Sequence, residues 1–474
     1  MAKEPCCVVA NNEPSEFDAA YSQMCTSFVD SLKFENIPER SITQMKVCLL
    51  DWLGCVIRGT ARPQSELAKK YIAHNMSAPQ ASMVCQEGKA SITDAAFFNG
   101  YCGHIMEMDD VDRESISHPA TVVIPAALSV GEWKGKSGKD LLTAIVAGYE
   151  IMLRVGAAVT PEHYKIWHTT ATTGHFGSAM AAGKLLGLNK EQLDWTLGNA
   201  GTMAAGLWQF LQNGGMSKFL HAGKAASNGV LAAFMAENGF SGATAILEGS
   251  QGFFAGYARQ AVKTEVFNDF GKYWRAGEVS IKPYPCCRHT HSAIDAANAI
   301  REQFAGIDYK SVEKVHAKTY DVAVQVAGIE DPQTPQECKF SLKFCIARTL
   351  MNGLVSEKDF TPETLHDPET RALMARIELD IVPELIAMLP SNWPSVMTAT
   401  MQDGTELHAE VISPSGDPDN PVSWEGIVRK FKMMTDGILS DEACDEFADM
   451  CKSLENLENC GDLITAINRL VHRG

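Results

Sequence analysis

Residues 170–188 read TATTGHFGSAMAAGKLLGL. Ala and Gly recur there at helical spacing and β-branched alternation is rare, so the stretch predicts a helix that close neighbours can approach. The same texture extends outward. Residues 141–159 (LLTAIVAGYEIMLRVGAAV) have the apolar width of a buried helix, and Trp195 to Leu211, Ala222 to Asn238 and Ala90 to Gly103 continue the style. Upstream, FVDSLKFENI and ITQMKVCLLDWLGCVIRGT predict two helices, with Pro38 where the second begins and Gly59 where it stops. Ser65 to His74 predicts another, and residues 1–17 read as a loose polar leader. The expectation is a tightly packed helical bundle over about residues 18–270.

Near residue 275 the pattern changes. Val312 to Val326 (VEKVHAKTYDVAVQV) alternates apolar and polar residues and predicts a strand, and Ser395 to Ile412 predicts a hairpin turning at Asp403-Gly404. Phe340 to Leu350 and Pro362 to Leu373 look helical between them. After the turn-rich connector SPSGDPDNP, residues 422–472 return to helix. The fold class is therefore mainly α with α+β: residues 18–274 and 422–474 form an all-helical domain, and residues 275–412 a smaller α+β domain.

The 474 residues are 45% hydrophobic and 21% charged, an ordinary globular composition for two or three domains. A formal net charge of −17 argues against nucleic acid as a partner, since phosphate binding needs clustered Lys and Arg. It leaves room for a small anion held by a few inward lysines. Fourteen cysteines are dilute in this length. Cys6-Cys7 and Cys286-Cys287 are adjacent pairs, and zinc-type CxxC pairs are missing. The start lacks the apolar core of a secretory signal, and no uninterrupted apolar run approaches the roughly 20 residues of a bilayer span. A reduced, soluble, cytoplasmic protein with no membrane partner is expected.

Four places carry candidate chemistry. Residues 100–127 (GYCGHIMEMDDVDRESISHPATVVIPAA) set Glu107, Asp109, Asp110, Asp112 and Glu114 beside His118, a crowd that self-repulsion and desolvation both oppose. YKIWHTTATTGHFG places His168 at a Thr-rich helix entry, where exposed N–H groups favour an anionic ligand. GGMSKFLHAG sets Lys218 and His221 three apart between glycines. IKPYPCCRHTHSAI crowds Lys282, Arg288, His289 and His291 at the domain junction, a usual place for ligand clefts. Each has a plainer reading as a solvated acid, a satisfied core histidine or a surface lysine. Together they are the parts for proton transfer beside a carboxylate-bearing substrate. The histidines lack metal-ligand spacing, and the chain has no P-loop, nucleophile elbow or strand-linked G-x-G-x-x-G. Chemistry without metal or cofactor is expected.

The segments MEMDDVDRESISHPATVVIPAAL, WHTTATTGHFGSAMAAGKLLGL, GGMSKFLHAGKAASNG and KPYPCCRHTHSAIDAA resemble the four signature blocks of the MmgE/PrpD family in order and spacing. The resemblance implies a helical domain built from both ends of the chain, a smaller α+β lid domain, a homodimer, and cofactor-free action on small di- or tricarboxylates. It implies active-site positions at His118, His168, Lys218 and Lys282, with the acidic position at Glu107 or Asp109. The family includes 2-methylcitrate dehydratases, cis-aconitate decarboxylases and iminodisuccinate epimerases. Here Val111 stands where the animal decarboxylases have a hydroxyl residue, a second His-Pro pair ahead of His118-Pro119 is missing, and the loop is one residue longer. The reading therefore places a methylcitrate-type dehydratase (a hydro-lyase) first, an epimerase second and a decarboxylase third; a carboxylate-binding helical protein is the non-enzymatic alternative.

The expected roles follow. His118 and His168 are the proton-transfer pair, with His118 oriented and made more basic by a neighbouring carboxylate and His168 the donor or carboxylate anchor. Lys218 and Lys282 hold the reacting carboxylate. Arg288 and His291 anchor a substrate carboxylate, and His221 and Asp110 complete the substrate-binding set.

Overall fold

The computed structural model describes residues 19–75, 78–212, 214–304 and 308–471, so the leader expected at residues 1–17 lies outside it. Nine helices of the N-terminal part matter here: α1 Tyr21–Ser31, α2 Glu39–Thr60, α3 Ser65–Asn75, α4 Ile92–Gly103, α5 Ala120–Lys134, α6 Gly138–Val159, α7 Thr169–Leu186, α8 Lys190–Thr202 and α9 Ser217–Glu237. Local signals set several ends. Pro38 precedes α2, Ser137 and Asp140 form a capping box at α6, and Gly187 closes α7 in the left-handed region.

The small residues do what their spacing predicts. At the α6–α7 crossing a Cβ on Gly148 would stand 2.7 Å from the Gly177 carbonyl, and one on Gly177 would stand 2.7 Å from Met152 Cβ. Only glycine lets these two helices pack at that distance. α6 is long and apolar enough to cross a membrane, but Glu150 and Arg154 interrupt its apolar run, and its apolar stretch is buried among the other helices.

The helix expected from Trp195 to Leu211 ends earlier. α8 stops at Thr202, and Trp208–Gln212 is a separate 3-10 turn. Gly206 breaks the run with φ 142°, and a Cβ there would meet Ala171 Cβ at 2.4 Å. The break has a use: the Gly206 carbonyl accepts the His168 N–H at 2.9 Å.

Helices Trp424–Thr435, Asp441–Lys452 and Gly461–Val471 pack back onto this body. Ile427, Phe431, Phe447, Ile464 and Ile467 share one buried core with α2, α5, α6 and α7. A second core runs from Tyr284 to Met401. Ala276, Val279 and Ile281 belong to the first core, so the change of core falls between Ile281 and Tyr284, a few residues beyond the expected position at 275.

The smaller part is a four-stranded mixed sheet in the order Ile377–Ile381, Val312–Thr319, Ser395–Met401, Glu406–Val411. The hairpin turns at Gly404 with φ 84°. The expected strand over 312–326 stops at Thr319, and Asp321–Ala327 is a helix. Val322, Val324 and Val326 alternate, but the fully buried residues are Ala323 and Ala327, four apart as a helix requires. Strand Ile377–Ile381, parallel to Val312–Thr319, was not anticipated.

Candidate active site

The loop between α4 and α5 separates its acids by direction. Asp110 turns toward α5: Oδ1 accepts the Ala120 N–H at 3.0 Å and Oδ2 pairs with the Tyr149 hydroxyl at 2.8 Å. It braces a helix N-terminus instead of facing the histidines. Burial, with Asp109 adding, holds its carboxyl well above the usual range. Asp112 accepts the Ser115 N–H at 2.7 Å, and Glu114 pairs with Arg275. Glu107 and Asp109 remain, and they face a group of rings and lysines.

Those rings are three, not two. His104, which the sequence reading passed over, lies 5.1 Å from His118 and stacks on His168 at 5.7 Å, centroid to centroid. All three engage Nδ1 with the protein. His104 Nδ1 donates to Asp109 Oδ2 at 2.7 Å, His118 Nδ1 to the Asp110 carbonyl at 2.6 Å, and His168 Nδ1 meets His221 Nδ1 at 3.2 Å. Nε2 is thus the exchangeable atom on each ring. Among the described residues, His104 Nε2, His168 Nε2, Asp109 Oδ1 and Trp208 Nε1 are buried without a hydrogen-bond partner, and the Trp208 ring lies 4.6 Å from His168. Unpaired buried polar atoms each cost about 1–3 kcal/mol, so such a group is expected where a polar ligand completes it.

The expectation that a carboxylate orients His118 is corrected. A main-chain carbonyl fixes that ring, and Asp109 Oδ2 stands 3.9 Å from its Nδ1. Burial pulls the His118 pKa down to about 3, although Asp109 pulls the other way. Burial, with Lys218 and His104 adding, holds His168 far below its ordinary value. Both rings are held neutral, and the hydrogen bond to the Asp110 carbonyl leaves the His118 lone pair on Nε2.

The cations come from three segments. Lys218, in the first turn of α9, ion-pairs with the Glu107 carboxylate, and Lys282 donates to the Glu107 carbonyl. Glu107 itself is a non-glycine residue at φ 59°, a conformation that persists only where surroundings enforce it. Against burial, Lys218, His104 and Lys282 bring its carboxyl down to about 2. Burial lowers Lys282, with Glu107 and Asp109 opposing. Lys339 was not anticipated. Its carbonyl accepts the Cys287 N–H at 2.9 Å, joining it to the segment that carries Lys282, and its ammonium lies 5.8 Å from the Phe360 ring. Burial lowers it, with Glu107 and then Glu357 opposing, yet none of the described carboxylates ion-pairs with it.

Arg288 and His291 sit apart from the rings. The Arg288 guanidinium pairs with Asp417 and the Ser415 carbonyl (3.1 Å), and its Nη1 meets His291 Nδ1 at 2.8 Å. These groups tie the connector to the junction. His289 stacks on Trp393 at 4.6 Å. His221 touches His168 and lines a cavity of about 900 Å3 with Trp167, Gly206 and Phe210. No three described His, Cys, Asp or Glu residues are grouped as metal ligands.

Residues 23–265 match the model of the MmgE/PrpD N-terminal domain, and residues 284–456 that of the MmgE/PrpD C-terminal domain. Similar proteins include a cis-aconitate decarboxylase of Aspergillus terreus, 26% identical over 478 residues and spanning 94% of this chain and 95% of the relative. The Homo sapiens cis-aconitate decarboxylase is 27% identical over 460 residues, 93% and 92% of the two chains. A mitochondrial 2-methylcitrate dehydratase of Yarrowia lipolytica is 20% identical over 415 residues, 82% and 79%.

Proposed function

Because the chain belongs to the MmgE/PrpD family, we propose that it is an acid–base lyase acting beside a carboxylate of a small tricarboxylate of the aconitate or methylcitrate type. The observation that carries this is the trio of imidazoles with Nδ1 engaged and Nε2 free, next to Lys218 and Lys282. Both reactions build negative charge on carboxylate oxygens as a bond to the neighbouring carbon breaks. The lysines stabilise that charge, and an imidazole Nε2 takes or returns the proton. Lys339 supplies a cation for a second carboxylate. His118 is the proton acceptor, and His104 and His168 are the donors.

Decarboxylation draws its support from the cis-aconitate decarboxylases similar over nearly the whole chain. Dehydration, the first expectation from sequence, keeps one specific support: Val111 is buried and apolar where a hydroxyl residue was expected for decarboxylation. The test is incubation with cis-aconitate, 2-methylcitrate, citrate and substituted succinates in deuterated water, following carbon dioxide, alkene and deuterium. Carbon dioxide from cis-aconitate, or alkene from 2-methylcitrate, supports the lyase reading and picks the reaction. Deuterium exchange on a succinate with neither product replaces it with epimerisation, and binding without exchange replaces it with a carboxylate-binding protein.

The reading includes a homodimer, supported by the outward apolar row Leu220, Leu231 and Met235 on α9 beside Leu207, Leu211 and Met216. It also includes a cytoplasmic setting, supported by twelve described cysteines that are all unpaired.

A further inference from the structure

Carbonyls along the acidic loop are gripped from three directions. Lys282 holds the Glu107 carbonyl, His118 holds that of Asp110, and Lys430 Nζ donates to that of Met108 at 2.7 Å. Lys430 is not part of the site. It lies on helix Trp424–Thr435, and its ammonium ion-pairs with Asp51 on α2. Both partners are buried, Asp51 to 1% and Lys430 to 7% exposure.

Stability alone does not account for this pair. A buried ion pair is often no more stable than apolar side chains of the same volume, because desolvation offsets the attraction. What remains is an ammonium aimed at one carbonyl with the Asp51 carboxylate beside it. That carbonyl belongs to the residue between Glu107 and Asp109, and Met108's own side chain is fully buried, so the residue is held at both ends. A turn of the Met108 peptide would swing Glu107 from Lys218 and Asp109 from His104.

We infer that Lys430 is a positioning residue: braced by Asp51, it fixes the main chain at Met108 and so sets Glu107 and Asp109 against the three imidazoles. The geometry stands on its own; its effect on turnover rests on the lyase reading. The test compares wild type with Asp51→Leu/Lys430→Met, an apolar pair of similar volume, and with Asp51→Asn/Lys430→Gln, which keeps a neutral donor. Histidine-labelled NMR without substrate is read first. The His104 and His118 ring signals should shift in the apolar variant and less in the neutral one, while His289, stacked on Trp393 in the second core, stays put. With whichever of cis-aconitate or 2-methylcitrate the wild type turns over, kcat should fall tenfold or more in the apolar variant and less in the neutral one, with KM within about threefold. Unchanged His104 and His118 signals in the folded apolar variant overturn the inference, as does an apolar variant with kcat within twofold of wild type. If wild type turns over neither compound, the lyase reading fails, and the ring signals still decide the positioning role.

Discussion

The Asp109 carboxylate accepts a 2.7 Å hydrogen bond from His104 Nδ1, while His118 Nδ1 stands 3.9 Å from the same oxygen. The acid therefore serves His104 first, and the proposed function counts His104 within the site. His104→Ala should lower kcat by about 10²-fold, and Asp109→Asn by about 10–100-fold, with KM changing less in both. Steady-state kinetics checks this; a His104→Ala variant near wild-type kcat would return the ring to a packing role.

The buried histidines predict acid sensitivity. Burial brings His118 and His289 down to about 3 and His175 to about 4. An unfolded chain protonates these rings below their ordinary 6.5, and the folded chain refuses those protons until about 3 to 4. The unfolded state thus binds more protons in that window, and stability is lost as pH falls from 6.5, by at most about 1.4 kcal/mol per pH unit per ring. Asp51 and Asp110 oppose the rings: burial, against Lys430, raises Asp51 from 3.8 to about 6, and burial raises Asp110 too, so the folded state holds these protons more tightly. Calorimetry should show Tm falling between pH 6.5 and 5. A flat Tm would contradict the buried neutral rings.

The lysines should separate kinetically. Lys339→Ala should raise KM about tenfold or more with kcat within a few-fold, because a remote carboxylate is held equally in substrate and transition state. Lys282→Ala should damage both parameters, since it also holds the Glu107 carbonyl. Equal effects would remove the distinction.

The apolar row on α9 predicts association. Light scattering at micromolar concentration should give about twice the 51.6 kDa chain mass, and Leu220→Asp with Leu231→Asp should shift it toward the monomer. A monomer in the unsubstituted protein would contradict the dimer.

Much of the fold was legible because it rests on local signals. The Gly and Ala spacing of α6 and α7 specifies a crossing that only glycine permits, and Pro38, Ser137 and Gly187 mark helix ends. The Val322–Val326 alternation misled because short apolar runs read alike as strand or helix until burial separates them. In the site, His118, His168, Lys218 and Lys282 stood out by type and context, and the chain brings them together with Glu107 and Asp109. His104 was missed, although it lies only five residues before Asp109 in the quoted stretch, just past the end of α4. A ring's partner depends on how the loop folds back, and the left-handed Glu107 that folds it is unmarked in sequence. Lys339 and Lys430 were invisible for a plainer reason. Lys430 meets the loop, and Lys339 feels the Glu107 charge, across more than two hundred residues, a distance that no local pattern encodes.

The central claim is that Nε2 of His118 moves the proton without a metal or cofactor. The most direct measurement is turnover of cis-aconitate and 2-methylcitrate in deuterated water, by exhaustively chelated wild type and by His118→Ala. Chelated wild type should keep full activity and place solvent deuterium in the product or exchange it into the substrate, and His118→Ala should lose about 10²-fold or more of kcat with little change in KM. Activity that vanishes on chelation and returns with a divalent ion would contradict the account. So would a His118→Ala enzyme keeping more than roughly a third of wild-type kcat, since less than about 0.7 kcal/mol of barrier would then depend on that ring.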